Sequence, residues 1–545
     1  MSSKSQSLWV RLRDLPLSYE DSEPAKSLQQ MAAKRLGIKV SAIINLRIIQ
    51  RALDARHRKP RYVYAIDLAL VSQLAQRLLA RKRVESVAEI KLPNIHFKSI
   101  PDGPRPIVVG SGPAGLFAAL ILAKAGWPPV IIERGKDVDA RAHDVSRLYR
   151  EGILDPNSNV CFGEGGAGTF SDGKLHTRIN DPRVRFVLET LVANGAINDI
   201  LIDNRPHLGT DRLIRLLRSF RLHLNNLGVT FRFNCNVAGF KIQDQTLNGL
   251  TLDNGEQLDT KAVVLATGHS ARDVWEHINR AGINLETRPF AVGFRVEHQQ
   301  AWLNEIRYGK AANLSELPAA DYRLTYNERL ANGRGVYSFC MCPGGMVLPT
   351  PTRPQELCIN GMSSSYRSGR FANSAIVATV DFVDFKAFLH HGVFAGVAFQ
   401  EAIEQTAYSA GGGNFGAPAM RISDFMHKRP SSSLPATSYL RGLAVADLSN
   451  LFPAPIITAL KQALSSFNRK MPGFISNDAT IIGVETRTAS PIRLPRDKDF
   501  QAIGCKGLYP VGEGMGYGGG IVSAAVDGIR AAQAMLLATG ATIMR

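Results

Sequence analysis

Six residues constrain this chain more than any others. Gly110-Ser111-Gly112-Pro113-Ala114-Gly115 follows the apolar run Ile107-Val108-Val109 and opens an alanine-rich apolar stretch over residues 116–125. A strand, a G-x-G-x-x-G turn and a helix in that order form the phosphate turn of a dinucleotide fold. Gly110 permits the tight turn, Gly112 lets a pyrophosphate approach the backbone, and Gly115 lets helix and strand pack closely. The helix N-terminus then offers free N–H groups and partial positive charge. A second apolar strand, 129–132, ends in Glu133 and Arg134, with Glu133 18 residues beyond Gly115. An acid there suits ribose hydroxyls and disfavours a 2′-phosphate, which favours FAD or NAD over NADP.

The 545 residues suffice for two to four domains. Hydrophobic residues make up 45% and charged residues 21%, an ordinary globular balance. The start has no apolar segment of a secretory signal, and no run of about 18 uninterrupted apolar residues reads as a membrane span. Six scattered cysteines do not read as a disulfide framework. The expectation is a cytoplasmic protein with reduced thiols, no metal and no membrane partner. The net charge is +18, about +11 of it in the first hundred residues. Such asymmetry marks either a solvated basic face or a surface for an acidic partner such as nucleic acid.

That basic segment reads as its own module, residues 1–95. Residues 8–13 alternate as a strand and 24–36 carry helical spacing. Residues 42–52 and 61–69 read as a hairpin around the basic turn 56–60, 71–81 as a helix and 84–92 as extended. The order β-α-β-β-α-β is ferredoxin-like α+β. Pro93, Pro101, Pro104 and Pro106 form a connector to the α/β region. There, 104–289 is expected to be the first part of a Rossmann-type domain. Residues 290–480 form an inserted α+β lobe, and 481–545 return to the Rossmann-type domain, which is therefore discontinuous.

Two segments favour FAD over NAD by resemblance. The strand ending Ala266-Thr267-Gly268 is similar to the A-T-G motif of two-dinucleotide, glutathione-reductase-like flavoproteins. The run 507–514, ending Gly512-Glu513-Gly514, resembles their late Gly-Asp strand, with Glu513 in place of Asp. Gly518-Gly519-Gly520-Ile521 then opens a helix which, in that fold, points at the ribityl chain and pyrimidine edge. The stretches 162–175, 266–273, 338–345 and 485–491 are similar to a bacterial family of FAD-dependent dehydrogenases, also called NAD(FAD)-utilising dehydrogenases. The resemblance implies non-covalent FAD held by Gly110, Gly112, Pro113, Ala114, Gly115, Glu133, Arg134, Gly165, Gly166, Ser171, Lys174, Val237, Ala266, Thr267, Gly268, Gly512, Glu513, Gly519, Gly520 and Ile521. In related flavoproteins the glycine-rich loop 163–174 would wrap ribityl and isoalloxazine. Lys174 and Arg487 are candidates for a cation beside the flavin, which would raise its electron affinity.

Catalytic candidates are Cys340, Cys342, His269 and Arg487. Cys340-Met341-Cys342 is C-x-C, and the chain holds no C-x-x-C of a dithiol relay. Either thiol would act as acid or redox partner only with a lowered pKa. Residues 411–416 also spell G-x-G-x-x-G, but a helical segment precedes them and Ala417-Pro418 follows, so they read as a loop. No second dinucleotide fingerprint appears, so NAD(P)H would bind only transiently. His390-His391 read as a solvated turn and 212–221 as an amphipathic surface helix.

The leading expectation is an oxidoreductase that passes a hydride between FAD and a small organic substrate held between the FAD domain and the 290–480 lobe. Two alternatives stand beside it. One is an RNA-directed flavoprotein using the basic module, with Trp9, Tyr62 and Tyr64 as stacking positions. The other is a flavin-binding protein without turnover. The sequence leaves substrate and oligomeric state open.

Overall fold

The computed structural model describes residues 7–55, 60–87, 94–96, 103–314, 317–327 and 334–544. The basic turn at 56–59 and the connector prolines Pro93 and Pro101 lie outside them. Five short parallel strands organise the centre, in the order Leu508–Pro510, Val263–Leu265, Ile107–Val109, Val130–Ile132, Thr230–Arg232. Most of their residues are apolar because helices or sheets cover both faces. Val108, Ile131 and Val264 face one core, and Ile107, Val109, Ile132, Val263 and Leu265 face the other.

The helix Pro113–Lys124 is buried almost all round. Its outer side is covered by the late helix Ile521–Ala538, in which Gly528 meets it: a Cβ there would lie 2.0 Å from the Ala114 carbonyl oxygen. The two parts of the discontinuous domain are therefore joined backbone to backbone. Ile521–Ala538 is long and apolar enough to cross a membrane, but most of it is buried in this core.

Between the two parts the chain builds an eight-stranded mixed sheet. The long strands Phe290–Gln299, Gly335–Pro349 and Phe371–Val380 lie in it, with Thr480–Glu485 central. Thr480–Glu485 pairs with Phe290–Gln299 on one side and Ala417–Arg421 on the other. The sequence boundary at 480/481 therefore cuts a strand, and the lobe runs on to 485. A six-residue run with only Ile481, Ile482 and Val484 as large apolar residues carries no mark of which sheet it joins. The chain leaves and re-enters the parallel domain side by side, since Glu286–Thr287 pairs antiparallel with Ile492–Arg493.

The basic module has four antiparallel strands in the order Ile43–Asp54, Arg61–Val71, Ser7–Ser18, Glu85–Ser86, with the helices Pro24–Leu36 and Ser72–Ala80 between them in sequence. It docks through one strand. Arg51 donates its backbone N–H to the Ile202 carbonyl (2.6 Å) and its guanidinium to Asp203 (2.7 Å) and Asp199 (2.9 Å). The aromatic trio does not form one stacking platform. Tyr64 is core and Tyr62 packs against that core, under Arg51 at 5.4 Å. Trp9 is half-buried in the neighbouring strand and stacks with Arg47 at 4.3 Å. Arg11 and Arg47 share the buried carboxylate of Asp67.

Other local readings hold. Thr210–Asn226 is an amphipathic helix burying Leu213, Leu216, Leu217, Phe220 and Leu224. The 411–416 glycines end the helix Ala395–Ala410 and turn the chain into the strand Ala417–Arg421. His390 and His391 are exposed in a 3-10 segment.

Candidate functional site

A cavity of about 570 Å³ opens where the parallel sheet's C-terminal ends meet the inserted lobe. Its floor is the first turn. Gly110 has φ +100, and a Cβ on it would lie 2.4 Å from the Ala266 carbonyl oxygen. Gly112 differs: a Cβ there would meet only Gly166 Cα at 3.9 Å, so that face of the backbone is open. Two helix N-termini, at Gly112 and Gly520, border the cavity, and neither has a side-chain cap. Uncapped helix starts offer free N–H groups and partial positive charge, the equipment a phosphate needs.

Most of the expected cofactor residues line this cavity: Gly110, Gly112, Pro113, Ala114, Glu133, Gly166, Ser171, Lys174, Ala266, Thr267, Gly268, Gly512, Glu513, Gly519, Gly520 and Ile521. Four do not. Gly115 packs helix on turn, with Gly110 O 2.0 Å from where its Cβ would be. Gly165 turns the loop at φ +84 against Thr169 and Leu217. Val237 is buried in the core beneath the sheet. Arg134 turns away to pair with Asp273 at 2.8 Å and stack on Phe162.

Glu133 does more than await a ribose. Its carboxylate accepts from Ser111 N–H (2.9 Å), Ser111 Oγ (2.8 Å), Gly135 N–H (2.9 Å) and Gly163 N–H (3.0 Å). It therefore ties the first turn to the glycine-rich loop. Ser171 is likewise used within that loop: its hydroxyl donates to Gly168 O (2.7 Å) and accepts from Gly173 N–H (3.0 Å).

The residue that shapes the loop is Arg141, which carries no motif. Its side chain is fully buried and donates to the carbonyls of Asn159 (2.8 Å), Val160 (2.8 Å), Gly163 (3.2 Å), Glu164 (2.6 Å) and Gly166 (2.9 Å). Phe170 lies 4.9 Å below it. Burial lowers its pKa to about 10, so it is still charged at neutral pH.

The lobe supplies the opposite wall: Phe339, Cys340, Cys342, Asn360 and Gly361. Arg295 lies behind them, fully buried, donating to Cys340 O (2.6 Å) and Cys342 Sγ (3.6 Å). Lys174 crosses from the loop to hydrogen-bond Met341 O and pairs with Asp172 at 2.9 Å. Asp172 also accepts from Arg367 Nε of the lobe at 2.9 Å. Burial pushes the Cys340 thiol up to about 12 and raises Cys342 as well. Burial thus outweighs the nearby Lys174 and Arg295 and favours the neutral thiol at both cysteines, the opposite direction to the lowered pKa that an acid or redox role needs.

His269 and Arg487 do line the cavity. Burial, then the nearby Arg487, lowers His269 to about 4, so its ring is neutral at pH 7, with Nδ1 2.8 Å from Ser270 Oγ. Arg487 is held by Glu404 at 3.0 and 2.7 Å and by Thr352 Oγ1 at 2.8 Å. Arg272 joins them, 3.2 Å from Glu356 and 3.3 Å from Glu404. Burial works against Glu404's charge, but Arg272 and Arg487 outweigh it and hold its carboxyl down; burial and then the Glu404 charge raise Glu356. Arg487 is therefore one part of a buried ion cluster joining domain and lobe, and its charge is already paired. Sequence reasoning missed Arg141, Asp172, Arg288, Phe339, Asn360 and Tyr517. Of these, Asp172 and Phe339 lay inside recognised signatures, 162–175 and 338–345.

These features fit FAD: an open pyrophosphate turn, two bare helix starts, and a cavity continuing to a second wall. Residues 289–488 match the family model described as "FAD-dependent protein, C-terminal domain-like", which covers the lobe through Arg487, and residues 10–69 match a domain of unknown function. The protein is an FAD-binding flavoprotein. It belongs to the same family as a Clostridium beijerinckii protein named only as uncharacterized, with 40% identity over 534 residues, 96% of this chain and 98% of that one. The FAD-dependent monooxygenase nodY2 of Hypoxylon pulicicidum is 27% identical over 219 residues, 37% of this chain and 44% of the other. Among solved structures, the flavin-dependent brominase Bmp2 aligns with 12% identity and a TM-score of 0.35, covering 80% of this chain and 79% of its own.

Three outcomes are expected. Gly112→Val places a side chain where only Gly166 is near, so the fold should persist, with an unfolding midpoint close to that of flavin-free wild type. It should carry no FAD after reconstitution, read from the visible spectrum. Arg141→Lys replaces a planar fork with a point donor and leaves loop carbonyls unsatisfied, at about 1–3 kcal/mol each. FAD affinity should fall at least roughly tenfold, measured by fluorescence titration. Glu513, raised by burial to about 7 and opposed only by the Gly520 N–H, binds more protons folded than unfolded. Its favourable contribution is complete below the unfolded carboxyl pKa of about 4.5 and is lost as pH rises through 7. In flavin-free protein, Glu513→Gln should therefore gain stability over wild type as pH rises from about 4.5 to 7, read by thermal melts.

Proposed function

We propose that this flavoprotein is an FAD-dependent oxidoreductase of the dehydrogenase type, passing a hydride between the flavin and a small organic substrate. The observation that carries this is the two-walled cavity: one wall holds the bare helix starts of the FAD domain, the other the lobe residues Phe339, Cys342 and Asn360. A hydride acceptor and its donor must lie in near contact. When bound, FAD supplies the redox chemistry at its ring. The chain's own contribution is a dry, shaped wall, a neutral His269 able to exchange a proton, and the paired cations Lys174 and Arg487.

In this reading the chain is a ferredoxin-like module, a discontinuous FAD domain and an inserted substrate lobe. The free thiols at all six cysteines support a reducing, cytoplasmic setting. Among the described residues there is no further phosphate turn in the lobe, so NAD(P)H would visit the cavity transiently. The monooxygenase relative supports a second reading, in which the reduced flavin activates oxygen.

The visible spectrum of the purified holoprotein, before and after anaerobic NADH and then NADPH, tests both. Bleaching of the flavin bands by either donor supports an oxidoreductase. Admission of air then divides the readings: donor consumption that depends on an organic substrate and puts oxygen into it favours the monooxygenase. Bands that no donor or organic substrate bleaches would sink the proposal.

A further inference from the structure

Three permanently cationic side chains line the cavity: Lys174, Arg288 and Arg487. Lys174 faces Asp172 and Arg487 faces Glu404, each within 3.0 Å. Arg288 is different. It is half-buried, and among the described residues no carboxylate pairs with it. Its guanidinium donates to one backbone carbonyl, Gly516 O, while its backbone N–H is fixed by Pro491 O at 2.8 Å. A guanidinium has five N–H donors, so most of its fork remains available.

Its position also separates it from the phosphate end. Arg288 stands on the outgoing crossover beside Thr488 and Ser490 of the returning one, all on the cavity wall. The late glycine loop starts with Gly512 packed against Ala114 of the phosphate turn and has reached Arg288 by Gly516. The pyrophosphate already has two uncapped helix starts to serve it. A half-buried guanidinium without a carboxylate, in a cavity whose other two cations each face one, has a specific ligand chemistry: a planar anion that accepts two parallel hydrogen bonds.

We infer that Arg288 is the anchor for a carboxylate on the organic substrate, so that the protein acts on carboxylate-bearing molecules. This rests on the oxidoreductase reading above and names its substrate class. The net charge of +18 would favour the approach of such anions.

The test uses FAD-loaded full-length protein at low ionic strength, titrated with benzoate, acetate and the neutral isostere benzamide, with the flavin visible difference spectrum as readout. The carboxylates should give a saturable perturbation that benzamide does not. Arg288→Gln should keep wild-type FAD content, measured by heat release, and weaken carboxylate binding at least roughly tenfold. Arg288→Lys, which keeps charge without the fork, should fall between them. No perturbation by either carboxylate, equal binding of benzamide, or unchanged affinity in Arg288→Gln would each overturn the assignment. So would loss of FAD from both variants, since Arg288 would then be a strut for the cofactor loop. Wild-type protein that binds carboxylates but is bleached by no donor would instead sink the oxidoreductase reading and leave the anion site standing.

Discussion

Everything at the cofactor site depends on one buried guanidinium. The loop 159–170 has no strand partner for most of its carbonyls, and a buried carbonyl without a donor is costly. Arg141 answers five of them from a single side chain, projecting from the helix Val138–Glu151. Glu133 completes the arrangement from the other side, collecting N–H groups from the turn and from Gly163. Gly163 is where the two meet: its N–H goes to Glu133 and its carbonyl to Arg141, and a Cβ on it would lie 2.4 Å from Arg141 Cδ. A cation for carbonyls and an anion for amides thus shape a loop that ends in the 3-10 turn Gly166–Phe170.

The same economy joins the lobe to the domain. Charge that would be expensive to bury alone is buried in closed sets: Arg272 and Arg487 with Glu356 and Glu404, Lys174 and Arg367 with Asp172. Removing one member of such a set would leave the others as uncompensated buried charge. Apolar packing crosses the same boundary, since Val145, Leu148, Val160 and Phe170 of the FAD domain belong to the lobe's core.

What the sequence revealed was local. The phosphate turn, the helix after it and the A-T-G strand are each written in consecutive residues, and the helix 24–36 matches its spacing residue for residue. The basic module's strand and helix order followed from period and turn signals. What escaped was everything set by distant partners. Arg141 looks like any helix arginine until the loop 18 to 25 residues later folds over it. Arg134, beside Glu133 on the phosphate strand, is drawn off by Asp273. Thr480–Glu485 reads as the start of the returning domain because its two partner strands lie far back in the chain. For Cys340 and Cys342 the C-x-C spacing left the thiol pKa open, and burial, which raises both, comes from residues distant in the chain.

The helix Ile521–Ala538 and the strand Leu508–Pro510 complete a turn that the ribosome finished long before. At typical elongation rates, roughly 20–80 s separate the two. During that interval the nascent chain carries the phosphate turn but lacks both the edge strand and the helix that covers Pro113–Lys124. Its apolar flank is open, and one of the two helix starts bordering the cavity does not yet exist. The full flavin site is thus assembled late in this chain's synthesis, and until then that apolar flank has no cover of its own.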